Sequence, residues 1–230
     1  MDGALVATQL SQRCIAGLKE IGGQQVFNLG KLSFDEGRSI QEHFHAMRRA
    51  GECRDLILLC EHPPTLSIGK RGRETDLGIS VQSWKGRGVE VVKVARGGGV
   101  TYHGPGQLLV YPVVSLKDRQ IGVRSFVAQG LQLISDVFTS LGLPNRVELE
   151  RPGVWISGRK IASVGLQIVQ GVSLHGWSIN LDCELSPFSL FNACGIENCE
   201  VTSLNRELAP KSLESDEFID EFSLRLGRWL

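Results

Sequence analysis

The stretch "GVWISGRKIASVGLQIVQGVSLHGWSINLD", residues 153–182, decides the fold. It holds three runs, "VWI", "RKIASVGLQIV" and "VSLHGWSINL", parted by the dipeptides Ser157-Gly158 and Gln170-Gly171. Short runs of β-branched and aromatic residues joined by such dipeptides make tight hairpin turns, so the stretch predicts a three-strand meander. By simple alternation His175, Trp177 and Ile179 face one way, and Gly176, Ser178 and Asn180 the other. A glycine on the second face leaves room for a ligand lying across the sheet, although plain sheet packing explains the pattern equally well. Lys160 directly follows the first turn, in a strand otherwise made of Ile161, Ala162, Val164, Gly165 and Leu166. A lysine in a strand ordinarily points into water. One held among such neighbours is desolvated, which favours the neutral amine and makes it a candidate base.

Helices flank the meander. Upstream, "VRSFVAQGLQLISDVFTSLG" carries Leu131, Ile134, Phe138 and Leu141 on one stripe, and Gly142 with Pro144 ends it. Downstream, "SDEFIDEFSLRLGRWL" places Phe218, Phe222, Leu226 and Trp229 on one face, with Asp216 and Glu217 in the first turn. Near the start, Ser33 and Glu36 form a capping box before Ile40, Phe44 and Met47. His43 and His45 sit two apart on this helix and are expected at the surface. Between the helices lie "RDLILLCEH", a buried strand ended by Pro63 and Pro64; "TLSIG", a short strand; and "QLLVYPVVSL", where Pro112 predicts an edge or a bulge. Strands and helices mix without strict β-α alternation. The expected class is therefore α+β, a largely antiparallel mixed sheet covered by helices.

Composition bounds the function. The chain has 230 residues, 42% hydrophobic and 22% charged, with a formal net charge of zero. That is an ordinary globular composition, and it gives no long-range attraction to nucleic acid. The apolar runs are too short to span a bilayer. No repeat or long linker divides the chain, so one domain is expected over residues 28–230, after a loose leader over residues 1–27 that lacks the pattern of a secretory signal. The six cysteines show no C-x-x-C spacing and are sparse for a disulfide scaffold, which points to free thiols in a reducing compartment.

"ARGGGVTYHGPGQ", residues 95–107, holds five glycines between two apolar runs. It fits neither G-x-G-x-x-G opening a helix nor the mononucleotide P-loop. Missing side chains let backbone N–H groups reach a ligand closely, and Arg96 and His103 bracket the loop with a cation and a titratable donor. Cys194 lies in the irregular stretch "FNACGIENCE", beside Gly195. A thiol of ordinary pKa is only slightly ionised near neutrality, so a nucleophilic cysteine needs a base or cation nearby; Lys160, His103 and His175 all qualify. Cys183 and Cys199 are weaker candidates. His103, His175 and Cys194 lack the spacing of a metal site.

Taken together and in this order, "RGGGVTYHGPGQ", "GRKIASVG", "HGWSIN" and "NACG" closely resemble the lipoyl(octanoyl) transferases, as does "EHPPTLSIGKRG" earlier in the chain. The resemblance implies the fold of the biotin and lipoate protein ligases. It implies transfer of an octanoyl group from octanoyl-acyl-carrier-protein to a lysine of a lipoyl domain, the first step of protein lipoylation. The acceptors would be the lipoyl domains of 2-oxoacid dehydrogenases and the glycine cleavage H protein. By the same resemblance Cys194 carries the acyl thioester and Lys160 activates it. Arg96, Gly97, Gly98, Gly99, Val100, Thr101, Tyr102, His103, Ser163, Val164, Gly165, Gly176, Trp177 and Ser178 would line the acyl pocket. No cofactor, metal, nucleic acid or membrane is expected, and the protein should be a monomer of the cytoplasm, or of an organelle matrix if residues 1–20 are the remnant of a targeting segment. The family often has leucine and alanine where Trp177 and Ser178 stand, and proline at Ala193. The tryptophan is therefore expected to narrow the pocket, and glycines 97–99, 104 and 106 to let the acyl chain lie close. A basic rim of Lys70, Arg71 and Arg73 should attract acidic carrier surfaces. The nearest rival is an ATP-dependent lipoate or biotin protein ligase on the same fold; another is a non-catalytic acyl-binding protein.

Overall fold

A computed structural model describes residues 20–21, 24–191 and 199–229. Its strands are β1 (Glu20–Ile21), β2 (Gln24–Lys31), β3 (Leu56–Glu61), β4 (Thr65–Ile68), β5 (Glu90–Lys93), β6 (Val100–His103), β7 (Gln107–Val113), β8 (Arg146–Glu148), β9 (Gly153–Ile156), β10 (Arg159–Val169) and β11 (Val172–Asn180). Its α-helices are α1 (Phe34–Ala50), α2 (Val81–Gly86), α3 (Val123–Ser140), α4 (Leu204–Leu208) and α5 (Ser215–Trp229). Strand β2 spans the boundary expected at residue 27 and belongs to the main sheet.

The meander forms as the sequence predicts. Strands β9, β10 and β11 pair antiparallel in succession. Both turns hold two residues at positive φ, Ser157 (48°) with Gly158 (82°) and Gln170 (50°) with Gly171 (83°). That conformation matches the right-handed twist of the strands it joins. The meander sits in an eight-stranded sheet of order β1-β2-β3-β7-β11-β10-β9-β8, antiparallel except for β2 beside β3. A smaller sheet of order β5-β4-β6 is not part of that ladder.

The run "LILLC" explains how the large sheet is covered on both faces. Ile57 and Leu59 join the core under α3 and α5, with Phe126, Phe138, Phe218 and Phe222. Leu56, Leu58 and Cys60 join the core under α1, with Ile40 and Phe44. Burial on both faces gives a continuous apolar run instead of an alternating one. The Ser33–Glu36 capping box closes the start of α1 as expected. His45, however, is buried. The row Gly37, Gln41, His45 lies on the inner flank of α1, and the backbone of Val169 and Val172 partly offsets the burial that lowers the pKa of this imidazole. His43 is partly exposed.

Pro112 is not at an edge: β7 lies between β3 and β11 and is buried throughout. Nor is there a bulge: β11 and β7 keep one register on both sides of an interrupted stretch of ladder. Strand β11 pairs with β7 only from Gln107 to Val110, and contact resumes at the bridge Ser115–Val172. In the gap the Ser173 hydroxyl donates to the Pro112 carbonyl (2.7 Å) and accepts from the Val114 N–H (3.0 Å). A proline is tolerated inside a sheet where the ladder it cannot join is already broken.

Candidate active site

A cavity of about 400 Å³ lies where the two sheets meet. Its walls come from the glycine loop and β6 on one side and from β10 and β11 on the other. It gathers Lys160, Arg96, Gly98, Gly99, Val100, Thr101, His103, Ser163, Val164, Gly165, Gly176, Trp177 and Ser178, residues singled out in the sequence. Phe34, Arg71, Asp76, Leu109, Tyr111, Glu150, Arg151, Pro152 and His175 complete it. The hydrophobic pattern of β3 and β7 marks Leu109 and Tyr111 as core, and no local signal assigns them to a site.

Gly97 and Tyr102 are not in the lining. The Gly97 N–H donates to the Leu166 carbonyl (2.8 Å), stitching the loop to β10. Tyr102 turns into the core of the small sheet against Phe188. The other glycines also divide. Gly98 and Gly99 face the cavity. Gly104 and Gly106 do not: a Cβ there would stand 2.6 Å from the Tyr102 hydroxyl and 2.5 Å from the Asp182 carbonyl. Those two glycines serve packing of the chain on itself and not an approaching ligand.

Arg96 is buried and turned back on its own loop. Its guanidinium donates to the carbonyls of Ser67 (2.6 Å), Gly97 and Gly99 (both 2.9 Å), and to the Ser67 hydroxyl. The loop is thereby tied to β4. The Ser67 hydroxyl also lies 3.1 Å from His103 Nε2, and His103 Nδ1 lies 2.8 Å from Gln107 Oε1. Burial pushes the His103 pKa down to about 3, with His62, Arg96 and His175 acting the same way. Burial likewise lowers His175 to about 4.

His175 breaks the expected alternation. Its φ is 57°, in the left-handed region, and its backbone N–H donates to Gln41 Oε1 on α1 (3.0 Å). The kink turns it into the cavity beside Gly176 and Ser178, while Trp177 and Ile179 join the core under α3. Gly176 admits no side chain, since a Cβ would fall 1.9 Å from the Val110 carbonyl oxygen. Trp177 lines the cavity, but its indole packs on Phe126 and Trp229, with ring centroids 5.6 and 5.9 Å away.

Lys160 is only 2% exposed. Its Nζ lies 3.3 Å from the Pro152 carbonyl and 4.8 Å from the centre of the Trp155 ring. Among the described residues no carboxylate forms an ion pair with it. Its backbone is clasped from outside the sheet: the Lys160 N–H donates to the Glu200 carbonyl (2.8 Å), and the Thr202 N–H to the Lys160 carbonyl (2.9 Å). Cys194 lies outside the described residues. Of the other cysteines, Cys60 and Cys183 are buried, with burial pushing Cys183 up to about 12, and Cys53 and Cys199 are partly exposed. All four are free, and Cys14, like Cys194, lies outside the described residues. Lys70, Arg71 and Arg73 are exposed, and Arg71 reaches the cavity lining. Among the described residues no metal-binding cluster occurs, and no helix is long and apolar enough to cross a membrane.

Comparison with known proteins places this site in a family. Residues 35–226 match the Lipoyl protein ligase A/B catalytic domain. An octanoyltransferase of Syntrophobacter fumaroxidans is 37% identical over 88% of this chain and 89% of its own. One of Desulfotalea psychrophila is 40% identical over 78% of this chain and 82% of its own. Among solved structures, lipoate-protein ligase A bound with ATP superposes with a TM-score of 0.70 at 15% identity, covering 86% of this chain and 82% of that one. The structural likeness confirms the expected fold, and the sequence relatives narrow the chemistry. The chain belongs to the lipoyl protein ligase A/B catalytic domain family, and among its members it is an acyltransferase of the octanoyltransferase kind.

Proposed function

We propose that the protein takes an octanoyl group from octanoyl-acyl-carrier-protein onto Cys194 and passes it to a lysine of a lipoyl domain. The observation that carries this reading is the burial of Lys160 in the wall of a cavity between the glycine loop and the β10–β11 pair. At about 400 Å³ the cavity is in the range of small-molecule sites. Cys194 lies six residues before Glu200, whose carbonyl accepts from the Lys160 backbone N–H, so at most about 20 Å of extended chain separates the two positions, and the reading requires the thiol to lie within that reach of the amine.

In the first half-reaction Lys160 takes the Cys194 proton and the thiolate attacks the thioester carbonyl. The carbonyl carbon forms a bond to the Cys194 sulfur, its bond to the pantetheine sulfur breaks, and the leaving thiol receives the proton from Lys160. In the second, the target lysine's amine attacks the new thioester. An amide forms as the bond to the Cys194 sulfur breaks, Lys160 takes the proton that the amine loses and returns it to that sulfur, and the enzyme regains its starting state. Backbone N–H groups beside the cysteine or in the glycine loop stabilise the oxyanion of each step. The same reading makes the exposed Lys70, Arg71 and Arg73 the landing point for an acidic carrier.

The test is intact-mass measurement after incubation with octanoyl-acyl-carrier-protein and no nucleotide. A gain of about 126 Da, mapped by digestion to Cys194 and absent from Cys194→Ser, is expected for an acyl-enzyme. Lys160→Ala should slow alkylation of Cys194 near neutral pH. An adduct formed equally well by Cys194→Ser, or a strict need for ATP, overturns the reading.

A further inference from the structure

The Arg96–Ser67–His103 contacts continue past the cavity. Gln107 Nε2 donates to Asn180 Oδ1 (2.9 Å) and to the Tyr102 carbonyl (3.1 Å). Asn180 Nδ2 donates to the Thr202 carbonyl (3.0 Å). Ser67, His103, Gln107, Asn180 and Thr202 are all buried. A chain of side chains therefore runs from the glycine loop to the segment that clasps the backbone of Lys160.

Its two ends fix its direction. A guanidinium has donors only, and a backbone carbonyl can only accept. At the far end the Thr202 carbonyl requires the Asn180 amide nitrogen, which turns Asn180 Oδ1 toward Gln107. Gln107 must then present its amide nitrogen to Asn180 and to Tyr102, leaving Oε1 to accept from His103 Nδ1–H. At the near end Arg96 donates into the Ser67 oxygen, so the Ser67 proton is free to point at His103 Nε2. Reversing any amide sets two buried oxygens face to face at Tyr102 or Thr202. A second histidine obeys the same logic: His62 Nδ1 faces the Leu32 carbonyl (2.8 Å), so its Nε2 accepts from the Tyr111 hydroxyl (2.9 Å).

We infer that His103 is a positioning residue held as the neutral Nδ1–H tautomer, one link in a one-way hydrogen-bond chain that sets the glycine loop and Lys160 in a common frame. It neither accepts nor delivers a proton in the reaction. The inference rests on the proposed role of Lys160 for its functional part only. The low His103 pKa agrees with it, and the titratable or charged groups facing the ring are His62, Arg96 and His175. The sequence offers His103 as one of three residues able to serve as base for Cys194; its Nε2 lone pair, taken by the Ser67 hydroxyl, removes it from that set.

The test reads the proton directly. The chain has five histidines, so nitrogen NMR of the ¹⁵N-labelled wild-type protein, with His103→Gln to assign the signal, resolves each ring. The expected His103 pattern is a protonated Nδ1 and a bare Nε2, unchanged between about pH 5 and pH 8. An Nε2–H pattern, or a titration in that interval, overturns the inference whatever the enzyme's activity. Asn180 is outside the cavity lining, and Asn180→Asp replaces its donor to Thr202 with an acceptor. That variant should lose about tenfold or more in kcat at unchanged KM for the acyl donor. A folded Asn180→Asp enzyme with wild-type kcat removes the link to Lys160. An inactive wild-type protein with the expected His103 pattern refutes the proposed reaction and leaves the tautomer assignment standing.

Discussion

Gly130 lies inside α3, where alanine would ordinarily stabilise a helix by about 1 kcal/mol. Here the sign should reverse. A Cβ at position 130 would stand 2.1 Å from Cζ2 of Trp177 and 2.6 Å from Cε2 and Cη2. The indole cannot swing aside, because Phe126 and Trp229 pack against it. Overpacking of a tight core costs about 1–3 kcal/mol, and an overlap this deep belongs at the upper end. Subtracting the propensity gain leaves a net loss of about 2 kcal/mol, a fall in Tm of roughly 4–8 °C for a chain of this length. Urea denaturation and calorimetry of Gly130→Ala measure it. Adding Trp177→Leu should relieve the clash, so the double-mutant cycle should show coupling of more than about 1 kcal/mol. Because Trp177 also lines the cavity, a displaced indole should erode the preference for octanoyl over hexanoyl, worth at most about tenfold for two methylenes. A Gly130→Ala protein that gains stability, with no coupling to position 177, refutes the reasoning.

Ser173→Ala removes the hydroxyl that bridges the Pro112 carbonyl and the Val114 N–H inside the broken ladder. It should cost about 1–3 kcal/mol in chemical denaturation, since both partners stay buried and lose a hydrogen bond. Acid should also weaken the protein. His103 and His175 are held near about 3 and about 4 in the folded chain, against 6.5 when unfolded, so below pH 6.5 the unfolded state binds protons that the folded state refuses. The stability these rings contribute is complete above pH 6.5 and is lost as pH falls, toward about 4 for His175 and about 3 for His103. Two such groups give a slope of up to about 2.7 kcal/mol per pH unit. Urea midpoints flat between about pH 6.5 and pH 5, above the range where carboxylates titrate, would contradict this.

Much of the fold is legible because its signals are local. The capping box at Ser33, the two glycine turns of the meander and the apolar stripes of α3 and α5 each depend on residues within a few positions of one another. What is not legible depends on partners far along the chain. Pro112, read as an edge or a bulge, is interior and in register, because Ser173 fills the ladder gap from sixty-one residues away. His45 read as exposed is covered by the β10–β11 turn, and His175 leaves the strand alternation through a kink held by Gln41. At the site, residue types single out Lys160 and the glycine loop, and the motifs shared with the lipoyl(octanoyl) transferases supply most of the lining. They do not separate Gly98 and Gly99, which face the cavity, from Gly104 and Gly106, which make room for Tyr102 and Asp182.

Helix α5 covers the sheet beside β2 and α3, setting Phe218 6.0 Å from Phe138 and Trp229 5.3 Å from Phe126. Elements from opposite ends of the sequence thus share one apolar layer. During synthesis, the oily flank formed by Phe126, Phe138 and Trp177 stays bare until residues 215–229 leave the ribosome. Such late closure is slow and leaves a sticky nascent intermediate, so shortening the chain before α5 should yield aggregates and not a smaller working enzyme.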